Sequence, residues 1–193
     1  LRHVFFGVTD YYELLGVPRS LSLSLDALQQ RYYELSRQLH PDRFMQKPEA
    51  ERQRALDMSS ALNDAYRTLK DPIKRAQYLL SLEGFDVGEQ RSKDVPPELL
   101  EEVFELNMAL EEMRGGDDSA RRQLEQADKN FTGMLAASDQ ELAALFAQYD
   151  ASQSRDVLSQ IRNLLNRRKY IQNLVSEVQK TLETSHQSPA TSH

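Results

Sequence analysis

The chain has 193 residues, enough for one large or two small domains, and 28% of them are charged. It contains no cysteine, so disulfides, thiolate metal ligands and nucleophilic thiols are excluded together, and its four histidines (His3, His40, His186, His193) are too scattered to suggest a zinc or iron site. The net charge of −6 comes wholly from residues 96–193, with 10 basic and 16 acidic side chains against 14 and 14 in residues 1–95, a balance that disfavours general nucleic-acid binding.

No apolar stretch approaches bilayer-spanning length, and no signal-peptide pattern precedes a small-residue cleavage site. The chain begins with Leu1, as a fragment or a processed form does. Seven Gly and seven Pro are few, which suits a mostly helical protein.

Asp10 is placed to cap a short helix through Tyr11, Leu14 and Leu15 that Gly16 and Pro18 stop. Asp26 is expected to open the next helix, whose Leu28, Tyr32, Leu35 and Leu39 recur at helical spacing. Pro41 ends it, because proline drives the residue before it out of helical geometry. Pro48 suits the first position of a third helix with Ala55, Met58, Leu62, Ala65, Tyr66 and Leu69 on one face. Asp71-Pro72 restarts the chain into a short helix with Ala76, Tyr78, Leu79 and Leu82 apolar. The two longer helices bury each other's stripes as an antiparallel hairpin, and the short ones close its ends.

Residues 83–96, with Gly84, Gly88 and a charged run, read as a linker in which Phe85 and Val87 pack. A second helical unit follows over 97–183. Its first helix runs from Pro97 to Gly115-Gly116, and Asp118 or Ser119 caps a second one bearing Leu124, Ala127, Phe131, Met134 and Leu135. Ser138 with Glu141 predicts a capping box for a short helix through Leu142, Leu145, Phe146 and Tyr149. The last helix runs from about Arg155 to Leu182 along Val157, Ile161, Leu164, Ile171, Val175 and Val178. Residues 184–193 are expected to be a disordered tail. There is no strand alternation.

Two features stand out from this frame. The first is His40-Pro41-Asp42 between two amphipathic helices, where Pro41 frees the loop from helix geometry and lets an imidazole and a carboxylate project outward. The second is helix 97–114, which has more apolar residues than one face needs. Leu99, Val103, Leu106, Leu110 and Met113 form a core arc, while Leu100, Phe104 and Met108 fall on a different line roughly 100–180° away, beside Glu101, Glu105 and Glu112. A second stripe of this kind either packs under another element or meets a partner.

The tripeptide and its surroundings resemble the J-domain family. Matching residues are Asp10-Tyr11-Tyr12-Glu13-Leu14-Leu15-Gly16, Leu39 before the histidine, Arg43 after it, the run Asn63 to Leu69, Asp71-Pro72 and Arg75-Ala76-Gln77-Tyr78. Tyr78-Leu79-Leu80-Ser81-Leu82-Glu83-Gly84-Phe85-Asp86 and the acidic first helix of the second half are similar to the HscB/Jac-type co-chaperones of iron–sulfur cluster biogenesis.

That resemblance spans about residues 9–183. It implies an all-α protein with a J-domain over 9–82 and a C-terminal bundle of three main helices. It further implies a co-chaperone without catalysis or cofactor of its own, which binds an IscU-type iron–sulfur scaffold, delivers it to an HscA-type DnaK-like chaperone and stimulates that chaperone's ATPase. Nucleic acid and membrane are not implied as partners; the bacterial cytoplasm is the implied compartment, or the mitochondrial matrix for a eukaryotic source.

The implied chaperone-contacting residues are Arg31, Arg37, His40, Pro41, Asp42 and Arg43; Glu34 between the arginines weakens the positive patch and suggests a specialised chaperone. The implied scaffold-contacting residues are Leu100, Phe104 and Met108, with Glu105 and Glu112 at the rim and Tyr170, off the apolar stripe of the last helix, exposed beside them. Rival readings are a J-protein with another client and a small hydrolase or lyase using His40, for which no nucleophile or oxyanion device is visible.

Overall fold

The computed structural model describes residues 10–86, 95–115 and 118–185. Among them it contains helices and no strand, the all-α architecture expected, and no helix long and apolar enough to cross a membrane. The chain divides into two compact units, one made of the residues up to Asp86 together with 146–154, the other of the residues from 87 to 145 and from 155 onward.

In the first unit, α1 (Tyr11–Leu15) is capped by Asp10, whose carboxylate accepts the Tyr12 N–H at 2.9 Å. It ends at Gly16, where φ is +63°, a left-handed backbone that favours glycine, with the Arg31 guanidinium packed close against it. The second helix, α2 (Leu25–Gln38), starts one residue before the expected Asp26, because the Ser24 hydroxyl takes the cap by accepting the Ala27 N–H. A 3-10 turn, Pro41–Phe44, leads to α3 (Glu49–Lys70). Asp71 then caps α4 (Pro72–Leu82) by accepting from Ile73 and Lys74.

Helix α3 is the centre of this unit, in contact with α1, α2 and α4. It buries Ala55, Leu62, Ala65 and Leu69, while Met58 and Tyr66 of the expected stripe are half-buried at its edge. Tyr12, Leu15, Leu21, Leu28, Leu79 and Leu80 complete the core.

The second unit opens as a 3-10 turn, Pro97–Leu99, before α5 (Leu100–Arg114). Another 3-10 turn, Asp118–Ala120, precedes α6 (Arg121–Ser152), whose residues from 146 on belong to the first unit, and α7 (Arg155–Ser185) follows. Its core joins Val103, Leu106, Leu110 and Met113 of α5 to Leu124 and Phe131 of α6 and to Ile171, Val175 and Val178 of α7.

The capping box expected at Ser138 is absent. Helix α6 runs unbroken through that position, and the Ser138 hydroxyl donates to the Met134 carbonyl at 2.8 Å. A serine that bonds back one turn sits inside a helix without ending it, and the apolar stripe continues through Leu142 and Leu145. Helix α7 likewise runs on through Thr184 and Ser185, into the stretch expected to be tail. The expectations for Val87, Gly88 and most of the linker, and for the tail beyond residue 185, lie outside the described residues.

Candidate functional site

The His-Pro-Asp tip is built by local chemistry. Helix α2 closes at Leu39, whose N–H donates to the Leu35 carbonyl at 3.0 Å. His40 is extended, with φ −58° and ψ 131°, as the following proline demands. The Arg43 N–H then returns to the His40 carbonyl at 3.0 Å and closes the 3-10 turn. Half-buried Phe44 is the inward-facing member of the turn.

The His40 and Asp42 side chains stay outside, 58% and 77% exposed. The His40 Nδ1 lies 3.4 Å from the Asp42 N–H and 3.4 Å from an Asp42 carboxylate oxygen. The Asp42 N–H donates to that nitrogen, with the Asp42 carboxylate alongside. Both distances are at the weak limit, so the pair is available to another molecule.

The arginines differ in their commitments. Arg43 reaches back to the Arg37 carbonyl at 3.4 Å, so loop and last turn of α2 are continuous. Arg37 and Arg43 are exposed. Arg31 instead donates to the Leu15 carbonyl at 3.3 Å and pairs with Glu34 at 2.7 Å. Its guanidinium covers the end of α1, a structural duty that residue spacing alone does not reveal.

The second surface is the outer face of α5. Leu100, Phe104 and Met108 are 56%, 65% and 50% exposed, at i, i+4 and i+8, while Val103, Leu106, Ala109 and Leu110 on the inner side are buried. Three large apolar groups thus stand in line in water on one side of the helix. Beside them a groove of about 590 Å³ runs between α5 and α6. Glu102, Glu105, Met108 and Glu112 form its α5 wall, and Arg122 and Gln126 stand on the α6 wall.

The structure thus brings Met108, Glu105 and Glu112 into one groove, with Leu100 and Phe104 on the same helix outside its lining. Tyr170 differs from its expected exposure. It is half-buried against the apolar core of the unit, and its hydroxyl is pushed up from the ordinary phenol value by burial first and the Glu177 carboxylate second. Its ring completes packing because the side of α7 it occupies is flanked by Ile171 and Leu174 rather than open to water. Sequence reasoning missed the α6 wall, since exposed polar residues on a helix carry no mark of what stands opposite them.

Comparisons with known proteins match two families along the chain. Residues 10–78 match the DnaJ domain, and residues 95–179 match the HSCB C-terminal oligomerisation domain. Among solved structures, the chain is similar to the chaperone HscB from Vibrio cholerae, with 29% identity, a TM-score of 0.63, and coverage of 92% of this chain and 99% of that one. It is also similar to the human co-chaperone protein HscB, with 26% identity, a TM-score of 0.67, and coverage of 90% and 82%.

Proposed function

This chain is an HscB-type J-domain co-chaperone, and from that premise we propose that it carries an IscU-type iron–sulfur scaffold protein to an HscA-type chaperone and stimulates that chaperone's ATPase. The observation that carries the proposal is the pairing of an outward His-Pro-Asp tip on one unit with an exposed Leu100/Phe104/Met108 ridge on the other.

The tip acts by contact. His40, Asp42, Arg37 and Arg43 offer an imidazole, a carboxylate and two guanidinium groups to the ATP-bound chaperone, and Pro41 holds the turn that presents them. The ridge takes the scaffold by burying apolar surface at roughly 25 cal/mol per Å². Glu105 and Glu112 set the polar rim. Tyr170 contributes from the side of α7 as a core-packed edge. Simultaneous engagement of both partners raises the effective concentration of scaffold at the chaperone without any new contact. Every covalent step belongs to the partner ATPase. The place of action is the bacterial cytoplasm, or the mitochondrial matrix for a eukaryotic source.

The test is steady-state ATP hydrolysis by a specialised and a general DnaK-type chaperone, each with and without scaffold. Stimulation is expected with the specialised chaperone, strongest when scaffold is present. His40→Gln abolishes it while scaffold binding stays intact. Leu100→Ala with Phe104→Ala removes scaffold binding while basal stimulation stays. A chaperone that runs no faster in the presence of the wild-type chain refutes the proposal, and scaffold binding unchanged by the double variant removes the ridge from it.

A further inference from the structure

Helix α2 carries Asp26, Arg31, Glu34 and Arg37, two charges of each sign, and Arg31 and Glu34 are paired with each other at 2.7 Å. Its outer face therefore has no net positive field with which to draw an acidic partner surface. The same face shows a large aromatic group. Tyr33 is 52% exposed, one turn before Arg37 and about 40° from it around the helix.

Exposed aromatics are ordinarily free to sample rotamers, and this one is held. The Gln29 side-chain amide donates to the Tyr33 hydroxyl at 3.2 Å. The ring tilts against Tyr32, with centroids 5.6 Å apart. Tyr32 in turn stacks on Tyr66 of α3 at 4.2 Å and donates to Asn63 at 2.8 Å. An aromatic ladder rooted in α3 thus ends in a ring that stands in water with its position already set. Binding to such a ring costs little ordering entropy, and aromatic groups of this kind dominate the energetics of interfaces.

We propose that Tyr33 is an aromatic anchor of the surface that meets the Hsp70-type chaperone. Its occupant is an apolar patch on the chaperone, bordered by carboxylates that meet Arg37 and Arg43. Continuity supports the assignment, since Arg43 bonds the Arg37 carbonyl and Arg37 follows Tyr33 by one turn. The inference rests on the docking role given above to the tip. With α2 carrying no net charge, the apolar contact makes docking less salt-dependent than the Arg37 and Arg43 pairs alone would, and favours chaperones whose matching surface is apolar over those that require a basic helix.

The experiment titrates full-length chain against the specialised chaperone's ATPase, at about 50 mM and about 300 mM salt, with wild type, Tyr33→Ala, Tyr33→Phe, Tyr33→Lys and His40→Gln. Tyr33→Ala is expected to raise the half-maximal concentration about ten-fold with the plateau rate unchanged, whereas Tyr33→Phe stays within about two-fold. Tyr33→Lys steepens the salt dependence, a readout that a merely structural role would not move. If His40→Gln abolishes stimulation while Tyr33→Ala superimposes on wild type, or lowers the plateau and leaves the half-maximal concentration alone, the anchor falls and the docking role stands. If His40→Gln has no effect, or the wild type does not stimulate, the docking role falls and the anchor with it.

Discussion

The first unit buries charge and the second holds itself together by apolar packing. In the first, Asp10 and Arg75 are both buried. The Arg75 guanidinium donates to the Leu21 carbonyl at 2.9 Å and to the Leu69 carbonyl at 2.6 Å, tying the loop before α2 to the end of α3. Burial pulls its pKa down, opposed by the nearby Tyr12, Asp150 and Asp71, and it remains a cation. On the other side of the loop, the Asp150 carboxylate accepts from the Ser20 hydroxyl, the Leu21 N–H and the Ser22 N–H, each at 2.8 Å. In the second unit the ion pairs, such as Arg121 with Glu125 and Arg114 with Glu177, lie on the surface.

The difference follows from helix length. Helix α1 has five residues and α4 has eleven, too few to enclose a loop with side chains alone, so the loop around buried Leu21 takes its backbone partners from charged groups. Helices α6 and α7 exceed thirty residues each, and their stripes meet without a loop between them. Exposed pairs there contribute about 1 kcal/mol or less.

Substitutions sharpen that contrast. The largest effect is expected at Phe131, fully buried in the second unit. Phe131→Ala costs about 3–5 kcal/mol in urea denaturation and lowers exchange protection of the α7 amides around Ile171. Arg75→Met comes next. It keeps most of the volume but strands two buried carbonyls, and costs about 3 kcal/mol by the same measurement. A neutral result there would mean that packing alone holds the first unit. Asp150→Ala removes three bonds from a partly exposed carboxylate and costs about 1–2 kcal/mol, visible as faster hydrogen exchange at the Leu21 and Ser22 amides.

The smallest effect is expected at Tyr12, whose buried hydroxyl has no hydrogen-bond partner. Tyr12→Phe changes stability by about 0.5 kcal/mol or less at neutral pH. At high pH the two chains separate. Burial, ahead of the Asp10 and Asp150 charges, raises the Tyr12 pKa above its ordinary 10, with Arg75 opposing. The folded state therefore keeps the phenol neutral while the unfolded chain ionises it. The stability this group contributes is complete below pH 10 and is lost as pH rises beyond it, so thermal melts at increasing pH should fall more steeply in the wild type than in the Phe variant, which keeps only the smaller losses from Tyr78, Tyr149 and Tyr170.

Local chemistry made much of this molecule readable in advance. Asp10 and Asp71 cap helices because each accepts from amides two or three residues on. The tip was legible because Pro41 acts on the residue next to it. The α5 ridge was legible because Leu100, Phe104 and Met108 exceed what one buried face can hold. Ser138 misled, since a hydroxyl that caps a helix elsewhere bonds back along the same helix here. Arg31 and Tyr170 owed their contact roles to the family resemblance, and both are engaged by neighbours that a helical wheel does not contain.

The sequence by itself determined most of the helices, the caps at Asp10 and Asp71, the bend at His40-Pro41-Asp42 and the surplus stripe on α5, because these depend on residues within about one helical turn of each other. Tertiary structure alone decided that Asp150 holds Ser20, Leu21 and Ser22 across about 130 positions of chain, that Arg75 closes the same loop from behind, and that α6 walls a groove beside Met108. Those contacts form only once packing has brought distant segments together, so their energies cannot be read from local pattern.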